Sequence, residues 1–363
     1  MGNNLRGVLR AHSVKKGKTV LLRIDTDVDF VGGKILDDTR LTACDKTLSY
    51  LLKKGADVIL LGHLGRPTES QKSKVKSQKY AEEFSLEPVA KWFAKHYKGI
   101  VEKRMIGEFE GWEITPHLHL LENLRFFSGE EANDKEFSRS LSILGDFYVN
   151  DAFAVSHRSH ASIVGIAELL PSYAGFHLEK EIETLGNILK DPKRPLTVLI
   201  GGAKIETKLP LVEKMHRIAD YVLVGGEIAE QDAMLIKVQH EKINPPAGGK
   251  KSAVLVADNI SSGLDITDKD AENFIQILDI SKTIVWNGSV GKMGVTETER
   301  NTLRIAKAVA SSKAYTVVGG GDTLALLKEH NLLNKFSFVS TGGGAMLEFL
   351  SGKELPGIEA LKK

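Results

Sequence analysis

Five arginines and three histidines in the first half of the chain could act on an anion: Arg23, Arg40, Arg66, Arg125 and Arg158, with His63, His157 and His160. Asp25 and Asp27 stand among them. Each arginine ends an apolar run or lies in the segment just beyond one. A guanidinium fork pairs bidentately with phosphate or carboxylate. Loops that brought these side chains together would therefore hold a small, strongly anionic molecule. Taken singly, any of these arginines could equally serve a surface ion pair. Their joint placement favours the anion site.

The second half carries a different inventory. "VVGGGDTLALL" (317–327) and "STGGGAMLEFL" (340–350) each leave an apolar run through three glycines and then turn helical in pattern. Backbone N–H groups at such a turn suit a phosphate. No lysine follows these glycines, so neither turn is the usual P-loop. Lysines lie elsewhere, in "GGAKIETKLP" (201–210), where Lys204 and Lys208 are one helical turn apart. Phosphoryl transfer needs positioning and positive charge more than a covalent nucleophile. An anion site, a glycine-rich edge and a lysine pair are the parts it requires.

Alternating apolar strand and amphipathic helix patterns must position these residues. In the first half, residues 19–25, 57–65, 117–123 and 146–153 read as strands, and 47–56, 87–98 and 137–145 as helices. This rhythm predicts parallel sheets covered by helices on both faces. Residues 175–195 read as a polar-faced helix with a proline-rich exit, poor core material and therefore a connection between two domains. A second strand series follows at 196–202, 219–226, 252–258, 281–288, 314–320 and 336–343, and almost every member ends in glycine. Ligands of open α/β sheets sit at the carboxyl ends of the strands. One glycine turn has the ordinary explanation that glycine tolerates φ > 0; five in series point to a phosphate-bearing ligand. The basic tract 71–79 reads as a solvated loop.

A length of 363 residues suits two domains. The net charge of +2 gives no bulk attraction to nucleic acid or membrane. Cys44 is the single cysteine, which excludes an intramolecular disulfide and a cysteine-built zinc site. No apolar run is long enough to span a membrane, and residues 1–20 lack a signal-peptide core. Gly2 lacks the downstream Ser/Thr of a myristoylation signal. A cytoplasmic protein, most simply a monomer, is expected.

The segments "GHLGRP", "LLENLRFFSGEEAND", "YVNDAFAVSHRSHASIVGI", "IGGAKIETKLPLVEKM", "TIVWNG", "VGGGDTLALL" and "STGGGAMLEFLSGKELPGIEAL" resemble, in order, the signature segments of the phosphoglycerate kinase family. The resemblance implies an α/β fold of two Rossmann-like parallel-sheet domains facing a cleft and joined by a hinge helix. The implied boundaries are 1–178, a connecting helix at 179–195, 196–345, and a tail at 346–363 returning to the first domain. It implies exchange of a phosphoryl group between ATP and 3-phosphoglycerate, giving ADP and 1,3-bisphosphoglycerate, with Mg²⁺. Carried over by motif, Arg23, Asp25, Asp27, Arg40, His63, Arg66, Arg125 and Arg158 would hold the phosphoglycerate. Lys208 would stabilise the phosphoryl group in transfer, with Arg40 and the N–H groups of Gly342, Gly343 and Gly344. Gly201, Ala203, Lys204, Lys208, Gly226, Asn287, Gly320, Gly321, Asp322 and Thr323 would hold the nucleotide, Asp322 also approaching Mg²⁺.

Four departures stand out. Asp27 replaces an asparagine and Asp29 a proline. Ser289 and Gly294 replace a proline and the glutamate that would hold the ribose hydroxyls. Glu227 replaces a glycine beside the nucleotide, and the stretch 228–262 is short. These changes predict an altered nucleoside pocket that admits other purine nucleotides beside adenine. They also leave open a family member that keeps an anion cleft without kinase activity.

Overall fold

Apolar five-residue runs such as "TVLLR" and "LTVLI" bury nearly every side chain, and such strands find their place inside parallel sheets with both faces covered. A computed structural model of the chain describes residue 7 and residues 16–68, 82–202, 205–229, 252–260 and 262–362, with backbone only for 205–207. The chain divides into two compact units: residues 1–182 with 354–363, and residues 183–353.

In the first unit, strands β1 (Thr19–Arg23), β4 (Asp57–Leu61), β7 (Leu118–Leu121), β8 (Phe147–Asn150) and β9 (Ser172–Ala174) run parallel. A short hairpin, β2 (Phe30–Val31) and β3 (Lys34–Ile35), stands apart. Two further strands, β5 (Glu102–Ile106) and β6 (Phe109–Thr115), add an antiparallel edge, so the order is β5-β6-β7-β4-β1-β8-β9. The edge was not apparent in the sequence pattern. β5 is exposed along most of its length and so lacks an apolar alternation, and only Gly107, at φ +60°, marks its turn. Register places Arg23 opposite Leu61 on one side and Asn150 on the other. The loops after β4, β1 and β8 therefore leave the sheet side by side. Val20, Leu22, Val58, Leu60 and Val149 pack against Leu48 and Leu51 of the helix Asp45–Lys53 and Val89 and Phe93 of the helix Glu87–Tyr97.

The second unit holds β10 (Leu196–Ile200), β11 (Tyr221–Val224), β12 (Ala253–Val256), β13 (Thr283–Asn287), β14 (Tyr315–Gly319) and β15 (Phe338–Val339), all parallel, in the order β12-β11-β10-β13-β14-β15. Ile200 pairs with Val224 and Asn287, and Asn287 with Gly319. Four glycine-bearing turns thus follow in register. Trp286 is fully buried among Leu199, Leu223, Val318, Phe274 and Ile305. Its indole N–H donates to the Gly288 carbonyl at 2.8 Å, a tie between the core and the turn above it.

The helix Phe176–Lys190 contains the boundary between the units. It is better core material than its polar face suggested: Leu178, Glu181, Leu185 and Ile188 are buried. One stripe of a helix suffices for burial, however polar the rest. Its start is capped from the first unit by Asp151, whose Oδ1 accepts the N–H groups of His177 and Leu178 at 2.9 and 3.1 Å. Burial pushes that carboxyl up to about 7. Residues 354–363 belong to the first unit, where the Gly357 N–H donates to the Ser156 carbonyl at 2.9 Å; residues 346–353 belong to the second. Among the described residues, no helix is long and apolar enough to cross a membrane. The tract 71–79 and residues 2–6 lie outside the described residues.

Candidate active site

Two loops of the first unit are clamped by small groups. Thr26 Oγ1 donates to the His63 carbonyl at 2.7 Å, joining the loop after β1 to the loop after β4. A side chain on Gly62 would run into Thr26, so the approach needs glycine. Asn123 holds a third loop: its amide donates to the carbonyls of Leu64 and Phe84 at 2.8 and 2.9 Å, and its Oδ1 accepts the Arg125 N–H at 3.0 Å. Arg125 is thereby presented from a short 3₁₀ turn, Leu124–Phe126.

The arginines then differ sharply. Arg23 is 1% exposed and internally committed: Nε donates to Ser162 Oγ at 3.0 Å, Nη1 to the Ile24 and Leu61 carbonyls, and Nη2 meets His63 Nδ1 at 3.0 Å. Arg40 pairs with Asp25 Oδ2 at 3.1 Å. The Asp25 carboxyl is raised by burial, against the pull of Arg40 and of the Asp27 N–H. Arg125 is also 1% exposed, but only its Nη1 finds a hydrogen bond, on the Gly65 carbonyl. Its Nε and Nη2 are buried without a hydrogen-bond partner, and Glu131 Oε1 comes no nearer to Nε than 3.7 Å. Burial, then Arg158, pulls this guanidinium down to about 10. Burial and Arg66 lower Arg158 in the same sense; Arg158 is half-buried and Arg66 exposed.

Two imidazoles of the cluster are disfavoured as cations. Burial, and then Arg23, Arg125 and Arg158, hold His63 well below its ordinary value. Burial, Arg125 and Arg158 bring His160 to about 4. Arg23, Arg66, Arg125, Arg158, His63 and His160 thus share one electrostatic neighbourhood, with Asp27 inside it. His157 is half-buried on the same loop as Arg158. The arginines are therefore the main source of positive charge around His63 and His160.

In the second unit the groups are backbone. Gly201 N–H donates to the Asn287 carbonyl at 3.0 Å and Gly202 N–H to the Ser289 carbonyl at 2.7 Å. A Cβ on Gly226 would lie 2.7 Å from the Gly202 nitrogen. Gly320, at φ +101°, precedes the helix Gly321–Glu329, and a Cβ on it would lie 3.4 Å from Asn287 Oδ1. The turns after β10, β11, β13 and β14 therefore form one patch. Lys208 is 7% exposed and its Nζ reaches back to the Gly201 carbonyl. Thr323 Oγ1, in the first turn of Gly321–Glu329, is buried without a hydrogen-bond partner. A cavity of about 280 Å³ beside the patch is lined by Gly202, Gly226, Leu264, Met293 and Asp322, with Glu227 and Lys292. Gly342 spends its N–H on Ser340 Oγ at 3.1 Å; Gly343, at φ +48°, and Gly344 open the helix Gly344–Leu350. The first N–H groups of a helix have no acceptor within it. Ala203 and Lys204 lie outside the described residues.

The family model for phosphoglycerate kinase matches residues 11–247 and 237–353. The chain is 38% identical to the phosphoglycerate kinase of Desulforudis audaxviator, over 95% of this chain and 96% of that one. It is 36% identical to that of Borreliella burgdorferi, over 95% and 96%. The solved phosphoglycerate kinase of Coxiella burnetii superposes with a TM-score of 0.77 at 32% identity, covering 97% of each chain. That of Pyrococcus horikoshii gives 0.75 at 30%, covering 95% and 96%.

The chain belongs to the phosphoglycerate kinase family.

Against the phosphoglycerate kinase pattern, the Asp27 carboxylate is held by the protein. Its Oδ1 accepts the Gly65 N–H at 2.8 Å, and Oδ2 lies 3.9 Å from His63 Nε2. Gly294 has φ +90° and its N–H donates to Glu299; a Cβ there would meet nothing within 4 Å. Glu227 is exposed at the rim of the cavity. Sequence reasoning missed Glu130, Ser162 and Asn123, which are buried and orient Arg23 and the Arg125 turn. It also missed Leu264, Lys292 and Met293. Their only signal was position: Lys292 and Met293 stand between the altered Ser289 and Gly294, and Leu264 lies just beyond the short stretch 228–262.

Proposed function

We propose that this protein is a working phosphoglycerate kinase, exchanging a phosphoryl group reversibly between ATP and 3-phosphoglycerate on one side and ADP and 1,3-bisphosphoglycerate on the other. One observation carries the reading: Arg125 holds two guanidinium donors buried and without a hydrogen-bond partner. Leaving such donors unpaired costs about 1–3 kcal/mol or more for a charged group. An anionic substrate, supplying the missing acceptors, recovers that cost. Arg66 and Arg158 add charge around it, Arg40 is oriented by Asp25, and His63 offers a neutral donor.

The nucleotide would lie on the glycine patch, with its phosphates near Gly201, Gly226, Gly320, Gly321 and Thr323 and its sugar along Asn287. Ala203 and Lys204 would complete that row. Thr323 Oγ1 is an orphan hydroxyl of the kind a phosphate oxygen satisfies. Among the described residues no group of three or more His, Cys, Asp or Glu could hold a metal ion. Asp322 would therefore bind Mg²⁺ jointly with the nucleotide phosphates, as is usual for this ion. When bound, Mg²⁺ offsets charge on the β- and γ-phosphates. Lys208, now resting on the Gly201 carbonyl, would turn its ammonium to the phosphoryl group in flight, joined by Arg40 and the N–H groups of Gly343 and Gly344. We take in-line transfer to be completed by closure of the two units, in a cytoplasmic monomer.

The alternative, a family member without kinase activity, would need a lost catalytic group. The departures fall at Asp27 and at the nucleoside end, and Lys208, Asp322, Thr323 and both glycine turns are kept. A coupled assay with 3-phosphoglycerate, ATP and Mg²⁺ tests the reading. Turnover that vanishes when Mg²⁺ is chelated is expected; absence of turnover with folded protein and saturating substrates would overturn it.

A further inference from the structure

Glu130 is fully buried in the short helix Ser128–Glu131, and one residue takes both of its oxygens. Oε2 accepts the Ser162 N–H at 2.9 Å and Oε1 accepts the Ser162 hydroxyl at 2.6 Å. A hydroxyl has one proton to give. With that proton committed to Glu130, Ser162 Oγ faces Arg23 purely as an acceptor, and it receives Nε–H at 3.0 Å. Arg23 is pinned in a plane by this bond and by the Ile24 and Leu61 carbonyls, and its Nη2 then meets His63 Nδ1 at 3.0 Å. A guanidinium has no lone pair to offer. Nδ1 must therefore be the acceptor, and a neutral ring carries its proton on Nε2, the nitrogen that faces Asp27 Oδ2 across 3.9 Å.

We propose that Glu130 is a positioning residue of the anion site: through Ser162 and Arg23 it fixes the orientation and tautomer of His63, so that His63 presents Nε2–H to the substrate as a neutral donor. The inference rests on the phosphoglycerate reading for the identity of that substrate, and the tautomer itself does not. The groups facing Glu130 agree with the arrangement. Arg23 opposes the rise that burial imposes on the Glu130 carboxyl, and His160 Nδ1 stands 3.8 Å away in a neutral ring. Tyr148 donates to the Ser162 carbonyl at 2.7 Å and fixes the same residue from its other side. Without Glu130 the hydroxyl of Ser162 is free to turn and Arg23 loses the buried carboxyl behind it, so the Ile24 and Leu61 carbonyls alone hold the Nη2 that selects Nδ1 of His63 as acceptor.

The test is Glu130→Gln, which keeps the volume and replaces a double acceptor by one acceptor and one donor. Nitrogen NMR of histidine-labelled protein, with His63 assigned by its loss in His63→Gln, reads the tautomer without substrate. The wild type is expected to show one neutral form with the proton on Nε2, and Glu130→Gln a mixture or the opposite form. In the kinase assay, KM for 3-phosphoglycerate should rise about 10-fold or more while kcat and the nucleotide KM move less than about 3-fold. Glu130→Asp should recover part of the loss. Ser162→Ala breaks the same relay one step later and should reproduce both readouts if Glu130→Gln does not fold. A single unchanged tautomer together with a wild-type KM in either folded variant overturns the proposal. Wild-type protein that shows the Nε2–H form but no turnover would instead overturn the kinase reading and leave the relay standing.

Discussion

Beyond β1, β4 and β8 of the first unit, the groups available to an anion are long side chains held by other side chains. Beyond β10, β11, β13 and β14 of the second unit they are backbone N–H groups at glycines, with Lys208 as the buried cation among the described residues. In the first case specificity depends on what locks each guanidinium: Asp25 for Arg40, Asn123 for the Arg125 turn, Ser162 and Glu130 for Arg23. In the second it depends on strand register, because adjacent parallel strands that end together bring their turns together. A substitution in the first surface should weaken one ligand's binding by a definite amount. The second surface should tolerate loss of any one nucleoside contact and fail when Lys208, its buried cation among the described residues, is removed.

The sharpest way to break that contrast is Lys208→Ala. Backbone N–H groups stabilise charge by fixed geometry, but the ammonium is the group that can meet charge developing in the transition state. We expect kcat to fall about 10²–10³-fold with both KM values within about 3-fold of wild type. Near-normal turnover would mean that the glycine surface alone does the work.

Arg125→Ala comes next. It removes two unpartnered buried donors, so 3-phosphoglycerate should bind about 10- to 100-fold more weakly, corresponding to roughly 1.5–3 kcal/mol for charge-assisted bonds. Arg23→Ala would confuse the reading, since that side chain supports the local structure. Titration of the nucleotide should be unaffected by Arg125→Ala. If nucleotide affinity drops as much, the division of labour between the units is wrong.

The different construction of the two surfaces also explains what could be read from the sequence. Glycine at a strand end is informative because few other residues fit where a backbone nitrogen approaches within a Cβ's radius, as at Gly226, or where φ is +101°, as at Gly320. Most of the parallel strands were equally legible from their apolar runs; the three-residue β9, largely half-buried, was not. Arginine is legible as a residue type and silent about its partners. Nothing local distinguishes Arg23, with its donors spent on protein atoms, from Arg125, with two left over. That difference is set by Ser162, which is 139 positions from Arg23 in the chain. Glu130 was invisible for a related reason: a glutamate in "SGEEAND" reads as a solvated helix start, and only the fold buries it. The edge strand β5 escaped because its side chains face solvent.

A smaller effect separates the Asp27 carboxylate from the asparagine usual in the family. An asparagine at this position could keep the Gly65 N–H through its own Oδ1 while removing a negative charge from a cluster of arginines. Because Asp27 is 41% exposed, solvent screens much of that charge. We expect Asp27→Asn to lower KM for 3-phosphoglycerate by about 2- to 5-fold, less than about 1 kcal/mol. A rise in KM would show that the carboxylate orders Gly65 and, through its carbonyl, Arg125.

The smallest effect expected is discrimination among purine nucleotides. Gly294 offers no side chain to the ribose, and the carboxylate nearest to it, Glu299, is bound to the Gly294 N–H. Leu264 and Met293 line the cavity with apolar surfaces that would suit any purine face, and the charges of Glu227 and Lys292 at its rim are exposed to water. Exposed charges and hydrogen bonds contribute little where water competes for the same groups. Most of the affinity should then come from the phosphates, Mg²⁺ and the turn at Gly320 to Thr323. On this basis kcat/KM for GTP and for deoxy-ATP should lie within about 10-fold of that for ATP, the equivalent of about 1.4 kcal/mol. A preference for ATP above about 50-fold would require more than about 2 kcal/mol of nucleoside recognition. It would mean that the second unit also selects its ligand with side chains, as the first does, and that the contrast between the two surfaces ends at the phosphates.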